Sequence, residues 1–237
     1  MPQNIILKLL NIYREDAFSL LEILIGQGDV IAEEHFHIVR DALKQLDFLK
    51  TQDSPGAFIF TFALQGNHQQ IVRAIIERNE TKKELLALKT ADGTPALYLA
   101  LENGSNFAIE VYIDALLRVN LSRADLCELL AAKNKYNISG LIVAAEKGHA
   151  LAVAAYIRKV LSAGLTGAEV MRLLLSEYAG VRSVFHLLMG NGYTDAVKVY
   201  VEEILNSRFR NFKKMILAAM FRRMLNSGQY CCGHYRI

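Results

Sequence analysis

Apolar positions recur in this chain with a long period as well as a short one. Gly66, Gly104, Gly148 and Gly192 stand in matching surroundings, FTFALQGNH, LYLALENGS, IVAAEKGHA and LLMGNGYTD, spaced 38, 44 and 44 residues apart. Five residues after each glycine come Ile71, Ile109, Val153 and Val197. Eight after come Ala74, Tyr112, Tyr156 and Tyr200, and nine after come Ile75, Ile113, Ile157 and Val201. Apolar residues at these offsets share one face of a helix. Before the glycines, Ile59, Leu97, Leu141 and Phe185 lie seven residues upstream, and Ala63, Leu101, Ala145 and Met189 three upstream, which predicts a second helix in each unit. Each glycine fits a left-handed residue ending the earlier helix. Small residues such as Ala100, Ala144 and Ala145 let neighbouring helices approach closely.

A third helix fills each period. Thr81-x-x-Glu84 and Thr166-x-x-Glu169 read as capping boxes, and Ser122-x-x-Asp125 as the analogous start. Leu85-Leu86, Leu129-Leu130 and Leu173-Leu174 follow at 44-residue intervals, with Ala87 matching Ala131 and Lys89 matching Lys133. Self-similarity of this length is the signature of a stacked array, in which no unit buries its apolar face alone. The expected fold class is all-α, a helical repeat solenoid. Residues 1–50 form a divergent cap or first repeat, 51–206 the repeats, and 207–237 a basic capping helix and tail. Tyr112, Tyr156 and Tyr200 are expected to pack between units, with hydroxyls reaching an edge.

The segment Asp92-Gly93-Thr94-Pro95-Ala96-Leu97-Tyr98-Leu99-Ala100-Leu101-Glu102-Asn103-Gly104 resembles the signature of ankyrin repeats, with Tyr98 in place of the usual His and Ala96 in place of Leu. A second instance runs from Asn137 to His149, with Ser139-Gly140 where Thr-Pro would stand. In the first, Pro suits a helix's opening turn and Thr can cap it. Units carrying an extra helix of the E-L-L-A-x-K kind are similar to repeats in some type III secreted effectors of enteric bacteria. This resemblance implies ankyrin-like units with one extra helix and a protein-interaction module, a secreted effector binding a host protein. It further implies partner contacts on the inter-unit turns, Ala91 to Thr94, Lys135 to Asn137 and Gly180 to Ser183. The partner-binding candidates are Asp92, Lys135, Tyr136, Asn137 and Arg182. Tyr136 leads, because an exposed aromatic in a turn makes a good anchor. Two other readings stay open: a regulator binding a transcription factor or chaperone within the bacterium, and an enzyme with an unfamiliar site.

Composition adjusts this picture little. At 52% hydrophobic and 22% charged, the chain of 237 residues can bury a sizeable core. Its net charge of +3 is unevenly placed. Residues 207–237 hold seven basic and no acidic residues, against 20 basic and 24 acidic elsewhere. Around Phe212, Met215, Ile216, Ala219, Met220 and Met224 this segment carries an apolar stripe, so a cap with a solvated basic face is expected. An acidic protein or an anionic membrane is the alternative contact. No nucleic-acid reader motif accompanies the charge.

Catalytic chemistry finds little purchase. His35 and His37 point to different faces of a helix, and the adjacent Cys231 and Cys232 lack zinc-ligand spacing. Cys127 sits among leucines and reads as a small buried apolar residue. No P-loop or dinucleotide fingerprint occurs. The expectation is therefore no catalytic, cofactor or metal site. Three cysteines give no disulfide framework, and neither a cleavable signal nor a transmembrane run is evident. The chain is expected in the cytoplasm or secreted without a cleaved signal.

Overall fold

A computed structural model of the protein describes residues 55–78, 82–175, 177–178 and 182–206, together with residues 214 and 218. Readings that fall on 1–50 and on most of 207–237 lie outside the described residues, as do Thr81, His35, His37, Cys231 and Cys232. The described chain is mostly helical. In order it runs α1 (Pro55–Gln65), α2 (Gln69–Arg78), α3 (Lys82–Leu86), α4 (Ala96–Glu102), α5 (Asn106–Arg118), α6 (Arg123–Ala131), α7 (Gly140–Glu146), α8 (Ala150–Ser162) and α9 (Gly167–Leu174). A two-residue antiparallel pair, β1 (Glu177–Tyr178) with β2 (Arg182–Ser183), precedes α10 (Val184–Gly190) and α11 (Thr194–Asn206).

Helices pack in rows that follow the sequence period. The row α1, α4, α7, α10 is continuous, each helix resting on the next, and so is the row α2, α5, α8, α11. α3 and α6 pack on α5, and α9 on α8 and α6. Close approach in the first row rests on small side chains: Ala63, Ala100, Ala144 and Ala145 are fully buried. At Gly140 an added Cβ would stand 2.9 Å from Leu101 Cδ1 and 3.1 Å from Tyr98 Cα, so only a bare α-carbon fits that crossing. The aligned apolar positions supply the core, including Ile71, Ile109 and Val153 and also Ile75, Ile113 and Ile157. Met189 departs from the pattern. Its counterparts Ala63, Leu101 and Ala145 are fully buried but it is 47% exposed.

The three tyrosines do pack between helices, but their hydroxyls do not reach an edge. Tyr112, Tyr156 and Tyr200 are fully buried, and each O–H donates to a carbonyl near the end of a third helix 26 residues earlier. The acceptors are Leu86, Leu130 at 2.6 Å and Leu174 at 3.0 Å. These carbonyls belong to final helical turns, which leave acceptors unmatched within the helix. One side chain per unit therefore fills the core and satisfies the helix packed on it. Burial pushes the Tyr112 and Tyr156 phenols well above their ordinary range, so both stay protonated donors.

The turns after the first helices follow the glycine pattern with one exception. Gly104, Gly148 and Gly192 have φ of 75°, 74° and 73°, but in the first unit the left-handed residue is Asn67, at 60°, one place beyond Gly66. Asn67 is held there by bonds to the next unit: its Oδ1 accepts from Ala108 N at 3.0 Å and its Nδ2 donates to Asn106 Oδ1 at 3.3 Å. Thr94-Pro95 also differs from expectation. Pro95 occupies the N-cap of α4 itself and Thr94 caps nothing. Its counterpart 44 residues on is Ser139, so Ile138-Ser139, not Ser139-Gly140, stands in the Thr-Pro place. Ser139 caps α7 by accepting from Ile142 N at 3.4 Å.

At the third helices, Ser122 caps α6 and Thr166 forms a full capping box with Glu169 at α9. Glu169 also takes Arg123 Nε at 2.9 Å, linking α9 to the start of α6. The Arg123 guanidinium first, then the Thr166 amide and hydroxyl, hold this carboxyl down from 4.5 to about 2. Between those values the unfolded chain takes up a proton that the folded chain resists, so this contribution is complete above about pH 4.5 and fades as pH falls through 2. The stability gap between wild type and Glu169→Gln should therefore narrow steadily as urea unfolding is followed from pH 5 down to 2. A gap independent of pH would show that the ionised form is not what stabilises this corner.

Candidate functional site

Between each third helix and the next first helix the chain makes a tight hairpin. Lys89 bridges Pro95, Lys133 bridges Ser139 and Glu177 pairs with Ser183, all in antiparallel sense and 44 residues apart. In the first two, a turn closes from Gly93 N to Thr90 O at 2.8 Å and from Asn137 N to Asn134 O at 2.9 Å. Gly93 and Asn137 both take positive φ, 84° and 61°, the left-handed residue that often follows a hairpin turn. Asn is among the few side chains that tolerate this region.

The hairpins are fixed by different chemistry. In the first, Asp92 accepts from the hydroxyls of Thr90 and of Thr94, the latter at 2.9 Å. Those hydroxyls, Thr90 first, hold the exposed Asp92 carboxyl below its usual range. In the second, Asn134 Oδ1 accepts from the amides of Tyr136 at 3.0 Å and Ile138 at 3.1 Å. Asn134 Nδ2 also donates to Tyr98 Oη at 3.1 Å, tying this hairpin to α4 of the preceding unit. Burial, then the Glu102 charge, raises the Tyr98 phenol above its ordinary value. The link of Tyr98 to Asn134, 36 residues on, was not readable from sequence.

Tyr136 is 70% exposed, the most exposed large hydrophobic residue among those described. Lys135 Nζ lies 5.2 Å from the centre of its ring, a cation–π distance. Lys133 Nζ donates to Asn137 Oδ1 at 2.9 Å. Thus Lys135, Tyr136 and Asn137 share one hairpin and Asp92 sits on the one before. Arg182 belongs to the hairpin after, its backbone paired with Tyr178. The five predicted residues occupy three successive turns and do not converge on one pocket.

Elsewhere, charged side chains pair across units. Arg158 on α8 meets Glu110 on α5 at 3.2 Å and Glu203 on α11 at 2.8 Å. Lys159 meets Asp114 at 2.7 Å, Lys147 meets Glu102 at 3.2 Å and Lys83 meets Asp125 at 3.6 Å. Such exposed pairs contribute little individually but fix register. Cys127 is buried on α6, 4% exposed. Among the described residues no three His, Cys, Asp or Glu side chains gather where a metal would sit, and no helix is long and apolar enough to cross a membrane. No model of a known protein family matches the chain, and no curated protein is similar to it.

Proposed function

We propose that the chain is an ankyrin-like helical repeat array that binds another protein through its row of inter-unit hairpins. The observation that carries this reading is Tyr136: a large aromatic ring held out at a hairpin tip, while the repeated tyrosines of the helices are fully buried. Exposing a ring of that size forfeits its burial, and a partner that covers it recovers the apolar area. The backbone beneath is held by Asn134, so little conformational freedom is lost on binding. A row of hairpins at one spacing offers such a partner several contacts along an extended surface. The segments Glu84-Leu85-Leu86-Ala87-Leu88-Lys89 and Glu128-Leu129-Leu130-Ala131-Ala132-Lys133, which end the extra helices and enter the hairpins, are similar to those of type III secreted effectors, and we propose that role, with a host protein as partner.

Capture from host-cell and bacterial lysates, with wild type compared against Tyr136→Ala, tests the reading. A partner taken from host lysate and lost in the variant is expected, with affinity reduced about tenfold or more for an anchor residue. Since Tyr136 is exposed, thermal unfolding of the variant should match wild type. A partner held equally by both proteins would remove the hairpin row from the binding face, and one found only in bacterial lysate would replace the host assignment.

A further inference from the structure

The cations of the described chain are unevenly satisfied. Lys83, Arg123, Lys147, Arg158 and Lys159, on helices or their connecting turns, all meet carboxylates. Arg73, Arg118 and Lys198 on the helices meet none among the described residues, and neither do the three lysines of the hairpin row, which differ in lying together on consecutive turns. Lys89, Lys133 and Lys135 are exposed, and among the described residues the only partners their ammonium groups have are the Asn137 amide oxygen and the Tyr136 ring. Lys89 and Lys133 occupy the same bridge position in consecutive hairpins. The one acid of these two hairpins, Asp92, has both oxygens engaged by Thr90 and Thr94 hydroxyls and offers those lysines nothing.

We propose that Lys89, Lys133 and Lys135, with the Tyr136 ring, bind an extended acidic segment of a partner protein laid across the hairpin row. This inference rests on the hairpin row being the binding face. Packed helices lie about 8–10 Å apart, so equivalent residues of adjoining units repeat at roughly that distance. An extended chain in the polyproline II form advances about 3.1 Å per residue and returns to the same face every three residues, so carboxylates three residues apart match Lys89 and Lys133. Lys135 Nζ lies over the Tyr136 ring, where an apolar or aromatic side chain of the segment can pack beside it. A nucleic acid fits less well. Its phosphates are evenly charged, and ionised Asp92 in the same row repels them, whereas a peptide places a neutral or basic side chain at that point.

The test is a titration of the isotope-labelled full chain with the blocked peptide Glu-Gly-Gly-Glu-Gly-Gly-Glu, followed by proton–nitrogen spectra. Amide shifts are expected at residues 89–94 and 133–138 at low salt and should fade as salt rises. In Lys133→Glu/Lys135→Glu those shifts should vanish and local affinity fall at least about tenfold, each reversal replacing attraction by repulsion. Arg73→Glu, an exposed cation on α2, should leave them unchanged. Shifts confined to the basic residues 207–237, no shifts at all, or larger hairpin shifts with single-stranded oligothymidylate or phosphatidylserine vesicles would each overturn the inference. Failure here alongside Tyr136-dependent capture of a protein would leave the binding face standing and remove only its acidic specificity. Shifts with that peptide at the hairpins, with no Tyr136-dependent partner, would instead remove the protein-anchor reading.

Discussion

Replacing Tyr156 by alanine is expected to lower the free energy of unfolding by about 3–5 kcal/mol, the range for truncating a fully buried aromatic. Tyr156 lies on α8, which packs against both α5 and α11, so the cavity opens in the middle of the second row of helices. Two effects combine: lost burial of the ring, and a Leu130 carbonyl left without its donor. Tyr156→Phe separates them. It keeps the ring and should cost about 1–3 kcal/mol, the penalty for a buried acceptor left unsatisfied. Urea unfolding of the three proteins, monitored by helical circular dichroism, measures both. If Phe costs nothing, the hydroxyl is not what satisfies the end of α6 and the repeated tyrosines serve as filler alone. If Ala costs under about 1 kcal/mol, the rows pack far more loosely than the burial of Tyr156 requires.

The tyrosine row also marks how far the sequence could be read. Tyr112, Tyr156 and Tyr200 stand beside the core positions Ile113, Ile157 and Val201, so their burial followed from helical period alone. The acceptors did not, because a carbonyl 26 residues away becomes a neighbour only when helices stack. Capping was legible at Ser122 and Thr166, where donor and acceptor lie three residues apart. It was misread at Thr94, whose hydroxyl has a competing acceptor in Asp92 two residues away. Gly66 misled for a related reason: Asn67 tolerates the left-handed region and its amide bonds to the next unit draw it there. At the hairpins, the exposure of Tyr136 followed from its place in a polar turn. The 44-residue match of Lys89 with Lys133 was visible too, but their lack of carboxylate partners is a property of the assembled surface.

Gly148→Ala is expected to destabilise the chain by about 2–4 kcal/mol, clearly more than the same change at Gly192. Both glycines have left-handed backbone, φ 74° and 73°, and a Cβ there costs about 1–2 kcal/mol by itself. Around Gly192 nothing lies within 4 Å of the added carbon, so strain is the whole cost. At Gly148 the carbon would sit 2.7 Å from the Tyr193 ring, which belongs to the next unit and whose hydroxyl donates to Glu146 O at 3.4 Å. That ring cannot simply withdraw, since Asn191 Nδ2 donates to the same carbonyl at 3.3 Å and fixes the turn that carries it. The excess of Gly148→Ala over Gly192→Ala therefore measures the close contact between units, separated from backbone strain. Adding Tyr193→Ala removes the obstructing ring, so in a double-mutant cycle the penalty at Gly148 should fall to that at Gly192. Equal penalties at the two glycines in the wild-type background would mean that the units do not seat on each other at this turn. The same geometry recurs one unit earlier, where the His149 ring lies 2.8 Å from a Cβ built on Gly104 and its Nε2 is 3.1 Å from Glu102 O. At these two junctions, then, a bare glycine receives a ring from the turn 45 residues on and sets how closely the two turns approach.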